Sequence, residues 1–250
     1  MYFGQNVEIN IIYYLLIGLL GIAVGQFVDW CNIRLPEYKK VFHSDFITYI
    51  KGTKPKYSYM LVTAILYIAI LYMFGWELKT LAYIILTPML LSALVIDFKL
   101  KIIPNRLNLS IFEVGLVYTF LEGIYNINVA VDMLLGMCVG AGIFLFITLV
   151  GGLIAGKEAM GFGDVKLMGA LGLFYGWRTI IIVSLIAFLL GAIIGIILIV
   201  AKKKKSDEYI PFGPFIVIAA FIAIFVPFDI LLIALLKIFT LGTYKLSYIN

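Results

Sequence analysis

GFGDVKLMGALG, Gly161 to Gly172, sets one carboxylate, Asp164, at the head of an apolar helical run that lies between two longer apolar segments. A carboxylate bordering hydrocarbon is costly and persists where it faces a polar interior with work to do, so Asp164 is a candidate functional group. Gly161 and Gly163 beside it admit close approach of another backbone that a Cβ would block. Read alone, Asp164 serves equally well as a helix N-cap behind a glycine turn. A second carboxylate, Asp97, closes another apolar segment in SALVIDFKLKIIPN. Alone it reads as a solvated charge near Lys99 and Lys101.

Working outward, composition decides the class. The chain of 250 residues is 64% hydrophobic and 13% charged, with mean hydropathy +1.11, outside the range of soluble domains. Apolar runs of membrane-crossing length recur from end to end. The reading is an all-α, polytopic membrane bundle of about eight transmembrane helices, near 9–31, 58–76, 80–98, 107–124, 129–155, 164–176, 178–200 and 211–238. At 1.5 Å per residue the sixth run gives about 20 Å of helix, too short to cross unaided, which implies a polar recess at Asp164.

The net charge of +5 would suggest a polyanion in a soluble protein. Here the cations cluster in short loops, so no nucleic-acid partner is expected and the lipid bilayer is the implied surroundings. Fifteen of the nineteen Lys and Arg residues fall to one side when the spans are laid end to end: Arg34 to Lys56, Lys99, Lys101, Arg106, Lys157, Lys166 and Lys202 to Lys205. Lys79, Arg178, Lys237 and Lys245 fall to the other. The positive-inside rule then puts Asp97 and Asp164 at the cytoplasmic face of a cell membrane and both termini outside. The absence of Lys or Arg from the first 33 residues argues that the first run is retained and not a cleaved signal.

Two carboxylates at one membrane depth can share a water. Close together they do not both ionise easily, so one holds a proton while the other acts as base, the arrangement of an aspartic protease. No metal is expected: Cys31 and Cys138 lack CxxC spacing, and His43 has no second histidine. Asp29, Glu113, Asp132 and Asp229 read as packed structural acids, with Asp29 close enough to meet the site or Arg34. The lysines at 202–205 read as membrane anchoring.

Three separated segments resemble the type 4 prepilin peptidase family of GxGD membrane aspartyl proteases. They are DFKLKIIPNRL from Asp97, with Pro104 seven positions on; GFGDVKLMGALGLFYGW through Trp177; and YIPFGPFI from Tyr209. The resemblance covers most of the chain from about residue 80. It implies an amino-terminal membrane region, 1–79, with a short basic loop, and a peptidase membrane domain, 80–250. It implies Asp97 and Asp164 as the catalytic pair, with Gly161, Gly163, Lys99, Pro104, Lys166, Pro211 and Gly213 binding substrate or shaping the site. The implied activity is removal of the short basic leader from prepilin-like proteins, with no cofactor for proteolysis.

GQFVDWCNIRLP, Gly25 to Pro36, resembles the family's amino-terminal segment, with Asp29 where an asparagine is usual. The cysteine-bearing loop of the bifunctional members is missing, and S-adenosylmethionine is implied only if methyl transfer is retained. Asn105 stands where many members have aspartate. Two alternatives share the carboxylates. An intramembrane GxGD protease of the presenilin or signal-peptide-peptidase kind would carry a PAL-like tripeptide, which is not found. A proton-coupled transporter would show inverted repeats, and none is convincing.

Overall fold

The computed structural model describes residues 10–41, 43–156, 160–201 and 210–240. The basic residues Lys157, Lys202 to Lys205 and Lys245, and Tyr209 of the third segment, lie outside them. The described residues form nine helices and no strand. These are α1 (Ile11–Arg34), α2 (Asp45–Gly52), α3 (Tyr57–Phe74), α4 (Leu78–Leu100), α5 (Asn105–Tyr125), α6 (Ile127–Ala155), α7 (Phe162–Val200), α8 (Gly213–Phe225) and α9 (Phe228–Phe239). Six of them, α1 and α3 to α7, are long and apolar enough to cross a membrane, so the chain is a polytopic helical membrane protein.

The sixth and seventh expected runs are the two arms of α7, joined at Gly176. Gly140 of α6 lies against the Met168 carbonyl and against Ile180, twelve residues further on. A straight helix would hold those two about 18 Å apart along its axis. The chain therefore turns back at Gly176, whose φ of 73° and ψ of 172° belong to a region open almost only to glycine. A Cβ there would also strike the Asp132 carboxylate. Gly176→Ala is accordingly expected to destabilise the fold by at least about 1–3 kcal/mol, read as a lowered thermal midpoint in detergent. An unchanged midpoint would contradict the reversal.

The first arm of α7, about 20 Å long, is buried along nearly its whole length from Asp164 to Gly176. An apolar helix of this kind suits the centre of a bundle, and α5, α6 and α8 surround it. Backbones come into direct contact where Gly136 of α6 meets Gly172, the small-residue packing that membrane helices use in place of a hydrophobic driving force. The expected last run, 211–238, is two helices instead of one. Val226 leaves the helical region and Pro227, which has no N–H to continue α8, becomes the N-cap of α9.

The amino-terminal hairpin packs on the other flank, with α1 against α3 and both against α4. The short helix α2 was not expected. It sits on the end of α1 through Phe46 and Tyr49, which pack on Trp30 at centroid distances of 5.6 and 4.9 Å. The Tyr49 hydroxyl donates to the buried Asp29 carboxylate. Arg34 takes other partners: it lies over Trp30, donates to the Lys40 carbonyl at 2.7 Å and faces Asp45 at 3.7 Å.

Burial first, and then the bond to Asp29, push the Tyr49 hydroxyl up to about 12. Its raised value means the bond is fully present below the ordinary tyrosine value near 10 and is lost as pH rises through about 12. At neutral pH, Tyr49→Phe should free α2 and speed tryptic cutting after Lys51 about fivefold, the factor for a bond of about 1 kcal/mol. Equal cutting rates would show that the aromatic contacts alone hold the helix.

Candidate active site

Asp97 lies in the last turn of α4, which ends because Lys101 adopts a left-handed conformation, φ 59°, and donates its N–H to the Asp97 carbonyl at 2.8 Å. The chain then crosses Ile102 and Ile103 to Pro104, whose fixed φ makes it a comfortable N-cap for α5. Asp164 lies in the first turn of α7. The N-cap of that helix is Gly161, so Asp164 stands three residues inside and does not cap the helix itself. Instead its carboxylate reaches back to the Gly161 amide, half of a capping box.

Both carboxylates are buried, Asp97 at 2% and Asp164 at 3% exposure, and they interact electrostatically. Each is oriented by one backbone amide. The Gly213 N–H, at the start of α8, donates to Asp97 Oδ2 at 2.9 Å. Since that N–H can only donate, a proton carried by Asp97 belongs on Oδ1. On Asp164, Oδ1 is buried and has no partner among the described residues. Each aspartate thus keeps one oxygen available.

One aliphatic side chain links the two. Ile103 packs against Gly163, next to Asp164, and against Gly213, next to Asp97. Glycine is needed at 213 because a Cβ would stand 2.7 Å from Asp97 Oδ2 and 3.1 Å from Ile103 Cδ1. Behind Gly213, Phe212 is held by Phe188, Phe215 and Phe144 at centroid distances of 5.3, 5.8 and 5.9 Å. Tyr175 anchors α8 further along by donating to the Ala220 carbonyl at 2.9 Å. The start of α8 is therefore a fixed wall between the two aspartate-bearing helices.

The other expected site residues divide. Gly161, Gly163, Pro104 and Gly213 frame the carboxylates as described. Lys166 is exposed and donates to Asn105 Oδ1 at 2.7 Å, tying the start of α7 to the start of α5. Lys99 is exposed at the end of α4, and Pro211 is half-buried just ahead of α8. Ile103 and Asn108 were not anticipated. Asn108 donates to the Gly163 carbonyl at 2.9 Å; the only trace in the sequence is an amide near the start of an expected span. Among the described residues no group of three His, Cys, Asp or Glu side chains could hold a metal ion.

The fold defines a helical membrane protein, and residues 84–196 match the model of the type IV leader peptidase family. The prepilin leader peptidase/N-methyltransferase of Aeromonas hydrophila is 35% identical over 164 residues, covering 66% of this chain and 56% of that protein. The protein of the same name from Legionella pneumophila is 36% identical over 154 residues, covering 61% and 52%. That from Pseudomonas aeruginosa is 32% identical over 164 residues, covering 66% and 56%. The chain spans about half the length of the curated relatives it matches. No solved structure gives a significant match.

Proposed function

We propose that the chain is an aspartic endopeptidase of the cell membrane that removes the short basic leader from prepilin-like proteins, with Asp97 and Asp164 as its catalytic pair. The observation that carries this reading is the pair of buried carboxylates, joined through Ile103, each held by one amide and each with one oxygen available. The ionised member takes a proton from a water whose oxygen attacks the scissile carbonyl carbon. The protonated member gives its proton to the carbonyl oxygen; as the adduct collapses and the C–N bond breaks, the carboxyl that took the water's proton passes it to the departing amine, and an adduct hydroxyl returns a proton to the other carboxylate. The missing side chain of Gly163 leaves room for Ile103, which packs there and against Gly213.

The basic residues around the pair, Lys99, Lys101, Arg106 and Lys166, support a cytoplasmic location for the site, with both termini on the opposite side. The substrate's apolar helix would then lie in the bilayer while its leader junction reaches the carboxylates. In this reading residues 1–79 form a separate amino-terminal membrane region and 80–250 the peptidase domain. An intramembrane protease and a proton-coupled transporter are not favoured by the family match or the relatives.

The relatives' printed names also include N-methyl transfer, for which S-adenosylmethionine supplies a methyl group from its sulfonium. The amino-terminal hairpin offers it a poor fit. Gly21 and Gly25 bring α1 into backbone contact with α3, and the Asp29 carboxylate is taken by Tyr49.

The test is mass spectrometry of a prepilin-like substrate incubated with membranes holding the wild type or Asp164→Ala. Loss of the leader with the wild type alone supports the reading. Intact leaders on several such substrates, with the wild type well inserted, would overturn it.

A further inference from the structure

The start of α5 grips the start of α7 at two points. Asn105 Oδ1 accepts from Lys166 Nζ at 2.7 Å, and Asn108 Nδ2 donates to the Gly163 carbonyl at 2.9 Å. Residues 105 and 108 are one turn apart on α5, as 163 and 166 are on α7, so each pair shares a helix face. Between the two bonds, on the turn they hold, is Asp164.

The inner bond is made under unfavourable conditions. Asn108 is 3% exposed, and its Oδ1 is buried with no partner among the described residues. A buried amide with an unmet acceptor destabilises a fold relative to an apolar side chain of similar size. Stability alone therefore favours leucine at this position, and the amide calls for another account. Asp164 supplies one. Its Oδ1 has no partner either, and its other tie is to the amide of its own turn, so the direction of that oxygen is set by the backbone of residues 161–164.

We propose that Asn108 is a positioning residue: by holding the Gly163 carbonyl it fixes the turn that aims the Asp164 carboxyl at the substrate. The inference rests on the peptidase reading. Asn108 touches no reacting atom and acts through Gly163. Loss of its bond loosens the aim of Asp164 without changing the surface that binds the substrate, so it acts on turnover and leaves affinity alone.

The experiment compares purified full-length wild type with Asn108→Leu on one prepilin-like peptide substrate, measuring kcat, KM and the thermal midpoint. The expected result is a kcat at least roughly tenfold lower, an unchanged KM and a midpoint equal to or above that of the wild type. Asn108→Ala, which cannot overpack the site, should show the same loss of kcat with the same KM should the leucine variant fail to insert. A wild-type kcat in either inserted variant overturns the proposal. So does a loss of kcat accompanied by an equivalent fall in midpoint, which would make Asn108 a structural residue only. A wild type that cuts nothing would instead overturn the peptidase reading, a result distinguishable from both.

Discussion

Asp97→Ala and Asp164→Ala are each expected to leave a prepilin-like substrate uncut, with rates down by roughly 10²–10⁴-fold or more, while both proteins insert normally. The two variants should differ in stability, because the environments of the carboxylates differ. Removing Asp97 leaves the buried Gly213 N–H without its acceptor, a loss of about 1–3 kcal/mol. Removing Asp164 takes away an oxygen that has no partner and leaves the Gly161 amide near the half-exposed mouth of the turn. Its thermal midpoint should stay closer to that of the wild type. Activity assays and thermal unfolding on the same preparations decide both points. Retention of most activity in either variant would remove that residue from the mechanism.

Gly213→Ala tests the site without altering either acid. An added methyl would stand 2.7 Å from Asp97 Oδ2, closer than real Cβ atoms come, and 3.0 Å from its Cγ, with Ile103 Cδ1 at 3.1 Å on the other side. Phe212 and Tyr175 hold α8 in place, so the carboxylate is the group that must move. A displacement on the order of 1 Å costs about 10²-fold in rate, and kcat should fall by that factor with Asp97 still present. Gly142→Ala on α6 is the control. Nothing lies within 4 Å of its added methyl, and alanine favours helix over glycine by about 0.5–1 kcal/mol. It should keep full activity. Equal kinetics in the two variants would show that α8 yields and that Asp97 does not depend on its wall.

The helical membrane class and most of the spans were legible because apolar run length is a local property: each crossing carries its own signal in about twenty residues. The brevity of the run after Asp164 was legible for the same reason, and the turn at Gly176 accounts for it. Elements shorter than a crossing were not. The eight residues of α2 leave no length signal, and Pro227 splits the last run at a point where hydropathy does not change. The acids at 97 and 164 could be read because a charge in an apolar run is rare. The residues that aim them could not. The Gly213 bond to Asp97 joins positions 116 apart, and no spacing rule encodes it; Gly213 entered the reading only through the resemblance of IPFGPF. Ile103 looks like any aliphatic residue, and Asn108 like a tolerated amide, until the start of α7 is laid beside them.

The distance along the chain between Asp97 and its amide partner has a consequence for biogenesis. At about 5–20 residues per second of synthesis, Asp97 leaves the ribosome on the order of 6–23 s before Gly213. Throughout that interval the nascent protein holds one of its two acids near hydrocarbon without the donor that orients it. The wall formed by α8 arrives only when the last helices insert. A partly synthesised chain therefore lacks the amide that orients Asp97, and loss of α8 at any later stage returns the protein to that immature state.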